Sequence, residues 1–89
     1  MEQLFGFDAK KVAAYQTFSV MNKTVNILTH LQEVLYGVVP LKRADELSIQ
    51  ISEFRDRLET MADEVLRENN VGLEEALLLD IQLGKAGLI

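Results

Sequence analysis

The sequence predicts an all-α fold: a long antiparallel helical hairpin with a short third C-terminal helix, forming half of a dimeric helical bundle. Three observations predict it. Two long stretches carry apolar residues at heptad spacing with no internal proline or glycine. The Gly37–Val38–Val39–Pro40 stretch between them is short enough to make the helices antiparallel neighbours. Near the C-terminus, Leu77, Leu78, Leu79, Ile81 and Leu83 spread apolar side chains around most of a helix, which must dock somewhere.

The first helix is expected over residues 8–36. Asp8 can cap it by accepting from its free backbone N–H groups. Phe7 and Val12 stand at the two positions of a hydrophobic staple. Its heptad line is Ala14, Phe18, Met21, Val25, Leu28, Gln32 and Leu35. Val20, Ile27, Leu31 and Val34 widen that line to roughly half the circumference at 100° per residue, more than one neighbour can bury. Gln32 is the polar residue in the line, and it either fixes register between the helices or reaches out to water. Gly37 is expected to end the helix in a left-handed conformation, with Pro40 shortly beyond.

The second helix is expected over residues 41–69. Leu47, Ile51, Phe54, Leu58, Met61 and Val65 alternate steps of four and three, the spacing of a supercoiled seam. Glu53 with Arg57, Arg55 with Glu59 and Asp63 with Arg67 are expected as ion pairs on its outer side. Asn69, Asn70 and Gly72 mark its end. The third helix is expected over residues 73–83, with Glu74 and Glu75 suiting its positive end.

At 89 residues the chain is a single domain, 1–89, with a small core and no cysteine to staple it. Tight helix packing or oligomerisation must supply stability instead. The net charge of −5 is uneven. Residues 44–80 hold eleven acids against three arginines, and residues 1–43 hold three acids against five bases. That balance repels nucleic acid and anionic membranes. No apolar run approaches the roughly 20 residues of a membrane span, and no secretory pattern is visible, so a cytoplasmic location is expected.

Chemical signatures are sparse. Helix carboxylates three apart on neighbouring helices can converge on a metal, and His30, Glu33, Glu53 and Asp56 are the set with that spacing. The Glu53–x–x–Asp56 half resembles the ExxE…ExxD magnesium set of all-α nucleotide pyrophosphohydrolases, with His30 where that pattern has an acid. The likeness covers four positions and is not a family match. On a helical wheel Glu53 and Asp56 point away from the Leu47–Val65 seam, toward solvent. His30 is the sole histidine, without a nucleophile or an orienting group. Gly84–Lys85–Ala86 lacks both the upstream glycine and the following hydroxyl of a phosphate loop.

The expected function is therefore non-enzymatic, with no cofactor and no metal site. The chain reads as a protein–protein interaction module (an adaptor, chaperone, inhibitor or small regulator) acting as a homodimer on itself and on a further protein partner. The expected interaction surface is Val20, Ile27, Leu31, Val34, Leu77, Leu78 and Ile81, with the C-terminal segment needed for the dimer. Two alternatives stand beside it. One is a metal-binding bundle using His30, Glu33, Glu53 and Asp56. The other is a dimeric nucleic-acid regulator contacting its target through Lys10, Lys11, Lys42 and Arg43.

Overall fold

The computed structural model describes residues 3–4 and 6–89. A small antiparallel ribbon, β1 (Gln3–Leu4) with β2 (Phe7–Asp8), leads into three helices: α1 (Ala9–Leu35), α2 (Leu41–Glu68) and α3 (Leu73–Lys85). Gln3 pairs with Asp8 and Leu4 with Phe7. Helical periodicity does not foretell this ribbon, which is too short to carry an alternating pattern.

Asp8 caps α1 as expected, accepting from the Lys10 N–H at 2.8 Å. Phe7 packs against the core that contains Val12, which fits the staple. The left-handed ending expected at Gly37 is absent there. Gly37 N–H donates to Val34 O, and Val38 and Val39 N–H both donate to Leu35 O, so the turn closes in right-handed geometry that needs no positive φ. The left-handed residues at helix ends are Asn70 (φ 56°) and Gly87 (φ 73°), while Gly6 (φ 81°) stands between the two strands of the ribbon. At each of those helix ends, two bonds run back into the preceding helix: Asn70 to Arg67 O and Val71 to Leu66 O, then Gly87 to Gly84 O and Leu88 to Leu83 O. This is the Schellman pattern, and it leaves apolar Val71 folded over Leu66.

α1 and α2 pack side by side along their length, as the heptads require, but α2 is rotated from the expected seam. The residues turned toward α1 are Ala44, Ser48, Ile51, Arg55, Leu58, Ala62 and Val65, all buried or half-buried. Phe54 and Met61 are each 49 % exposed. The physical reason lies in the two alanines, which are almost fully buried and let the backbones approach. Rotation also brings polar groups between the helices. Gln32 Nε2 donates to Ser52 Oγ (2.7 Å) and Ser48 O (2.9 Å), while Arg55 Nη1 donates to Gln32 Oε1 (2.9 Å) and Thr29 Oγ1 (3.2 Å). Gln32 thus joins a half-buried polar layer that fixes the hairpin's register. Arg55 is thereby withdrawn from the ion pair expected with Glu59. Among the described residues the ion pairs are Lys11–Glu75 and Arg43–Glu46, with His30 Nδ1 3.6 Å from a Glu33 oxygen, and none of the three expected on α2 forms. Exposed pairs gain little, so the fold loses little when they are absent.

α3 folds back onto its own hairpin at the open end. Leu79 and Leu83 are fully buried with Val12, Ala14, Tyr15 and Val71. Lys11 Nζ reaches both oxygens of Glu75 (2.8 and 2.9 Å), and Tyr15 Oη donates to Asp80 Oδ1 at 2.9 Å. The radius of gyration over Cα is 16.5 Å, against about 12 Å for a compact domain of this length. The molecule measures 54 × 25 × 18 Å, a two-helix slab with a third helix on one end.

Candidate interaction surface

A second heptad path runs beside the packed one on each long helix. On α2 the residues Leu47, Phe54 and Met61 share Ile51, Leu58 and Val65 with the path that faces α1. On α1 the path Thr17, Val20, Thr24, Ile27, Leu31 and Val34 again alternates steps of three and four. Turning 100° per residue, both second paths depart from the contact line in the same rotational sense. In an antiparallel pair, equal senses emerge on the same side of the slab. That side is one broad apolar face, on which Ile27 is 66 % exposed and Val20 and Phe54 stand open. A depression of about 190 Å³ lies within it between Phe54, Leu58 and Met61, with Arg57 at its edge.

The opposite rotational sense carries Thr29, Ser48, Ser52 and Arg55, and nearer the open end Tyr15 and Leu66, where α3 docks. The expected interaction residues therefore divide. Val20, Ile27, Leu31 and Val34 belong to the open hairpin face, whereas Leu78 and Ile81 are exposed on α3 away from that face, and Leu77, also exposed, lines the groove between α3 and the hairpin. Heptad spacing predicts Phe54 and Met61 in the intramolecular seam, and they belong to the open face instead.

Between α3 and the hairpin runs a groove of about 520 Å³, floored by Phe18, Leu66, Val71 and Ala76 with Asp63 and Asp80 at its edges. Burial raises the Tyr15 phenol pKa to about 12, and the hydrogen bond to Asp80 and that carboxylate's charge add to the rise. Lys11's hydrogen bond lowers the Glu75 pKa, against a weaker opposing effect of burial. No signal in the sequence joins Tyr15 to Asp80 or Lys11 to Glu75, because the pairs span 65 and 64 residues.

The residues of the alternative readings sit elsewhere. His30 Nδ1 lies 3.6 Å from Glu33 on the exposed side of α1, while Glu53 and Asp56 face solvent from the outer side of α2. Among the described residues, no three His, Asp or Glu side chains come together. Lys10 and Lys11 stand at the start of α1 and Lys42 and Arg43 at the start of α2, which are opposite ends of an antiparallel pair. Lys11 and Arg43 are already engaged by Glu75 and Glu46. Among the described residues, no helix is long and apolar enough to cross a membrane.

No family model, curated protein or solved structure matches the chain.

Proposed function

We propose that the chain is a non-enzymatic protein–protein interaction module that works as a homodimer, two hairpins joining by their open faces into a four-helix bundle. One observation carries this reading: each long helix has two heptad paths, and the fold of a single chain uses only one. Coiled-coil spacing is the pattern of a helix with a partner along that line. A two-fold axis lets the same face cover its twin. Areas support it as well. A compact monomer of 10.1 kDa exposes about 5,300 Å², and this chain exposes 6190 Å². The surplus is comparable to the roughly 800 Å² that each partner contributes to a standard interface. Such a dimer, carrying α3 on its outer sides, suits an adaptor or small regulator.

Sedimentation equilibrium tests it. The full chain should report about twice its 10.1 kDa mass at micromolar concentration. The double substitution Ile27→Glu, Phe54→Glu should yield a helical monomer. A full-length chain that remains a monomer at high micromolar concentration would refute the reading. So would a dimer that survives this double substitution but is lost with Leu78→Glu, Ile81→Glu.

A further inference from the structure

The groove between α3 and the hairpin lies on the side of the slab away from the proposed dimer face. We infer that it binds a basic amphipathic helical segment of a partner protein, apolar side chains on its floor and a lysine or arginine on Asp63 and Asp80. This names the partner of the interaction-module reading while resting on a different surface, so the two succeed or fail separately.

Size and shape favour such an occupant. About 520 Å³ falls within the roughly 300–1,000 Å³ of clefts that take ligands. Phe18 of α1, Leu66 of α2 and Ala76 of α3 give the groove an apolar wall from each helix. Leu73 and Leu77 line it while remaining exposed, which extends the apolar contact beyond the cleft. An amphipathic helix can lay its apolar face on such a surface by helix-in-groove docking.

Charge selects the sign of the partner. The two charged side chains that line the groove are both carboxylates. Tyr15 holds Asp80 through Oδ1 and leaves Oδ2 without a hydrogen bond among the described residues. Asp63 makes no ion pair among those residues, with Arg67 one turn along included. Lys11 of α1 is held by both oxygens of Glu75. Two of the groove's three walls also come from residues 44–80, where eleven acids face three bases. A cation on the free carboxylate oxygen of Asp80 or on Asp63 would gain charge-assisted hydrogen bonds that the chain itself does not satisfy.

The test uses the full chain and a labelled amphipathic peptide of about five helical turns, leucine on one face and lysine on the other. A matched peptide carries glutamate in place of lysine. Fluorescence anisotropy at low salt should show saturable binding of the lysine peptide alone. Asp63→Asn with Asp80→Asn should weaken it about tenfold or more, since each lost charge-assisted contact is worth about that factor. Asparagine at 80 still accepts from Tyr15, so the fold is preserved. Glu53→Gln with Asp56→Gln, which removes two acids elsewhere on α2, should leave affinity unchanged. Ile27→Glu with Phe54→Glu should also leave it unchanged, whatever it does to the mass. Backbone amide shifts should cluster at Phe18, Leu66, Val71 and Ala76. Three results would each overturn the proposal: no saturable binding, equal loss in both carboxamide variants, or shifts clustered around Ile27 and Phe54.

Discussion

Leu79→Ala tests whether α3 is anchored as the structure shows. Leu79 is fully buried, whereas its neighbour Leu78 is 50 % exposed. The same chemical change at adjacent positions of one helix therefore differs in burial and little else. Truncation removes three carbons, about 0.8 kcal/mol each in transfer, and adds a cavity term, for a total of about 2–5 kcal/mol. With an unfolding entropy near 2.1 cal/mol/K per residue, 89 residues give about 5 °C of melting temperature per kcal/mol. Leu79→Ala should lower the melting temperature by about 10–25 °C, and Leu78→Ala should lower it by a few degrees at most. Circular dichroism melts at one fixed protein concentration read this out, because a dimer's midpoint moves with concentration. Equal shifts for the two variants would mean that α3 is not docked through Leu79.

Two further outcomes follow from the caps and from Tyr15. Because the Tyr15 pKa is raised to about 12 in the fold and lies near 10 in the unfolded chain, its contribution to stability is complete below pH 10 and is lost as pH climbs through 12. Urea titrations at stepped alkaline pH should show that decline, Tyr15→Phe should flatten it, and phenolate absorbance should show one of the two tyrosines ionising late. At Asn70, whose φ is 56°, alanine should lower stability by about 1 kcal/mol and glycine should not lower it, as read from denaturation midpoints.

The helices were legible because their signals are local. Asp8, Pro40 and Asn69–Asn70 bound stretches free of glycine and proline, and the observed limits fall within two residues of those expected. What resisted was the rotation of α2. Two heptad paths overlap there through Ile51, Leu58 and Val65, and both satisfy the periodicity. Apolar bulk favours the path through Phe54 and Met61, yet the close approach allowed by Ala44 and Ala62 decides for the other. Heptad counting weighs size and leaves out how near two backbones can come. Gly37 misled for a related reason: glycine permits a left-handed residue without demanding one. The acid-edged groove was hidden altogether, because its walls come from three separate segments, with Tyr15 meeting Asp80 across 65 residues.

That same separation governs the order in which the fold assembles. The hairpin's polar layer joins Gln32 to Ser48 across 16 residues, around a turn that already holds the ends together. Loop closure of that kind is inexpensive in chain entropy, so the two long helices can zip from the turn outward in microseconds to milliseconds. α3 must wait, because Lys11 and Tyr15 meet their partners only when both long helices are complete. Its few ties make it the first element to open again. Amide hydrogens of residues 73–85 should therefore exchange well before those around Gln32 and Arg55. The groove beneath α3 comes and goes with that opening, so its partner would bind only the closed fraction.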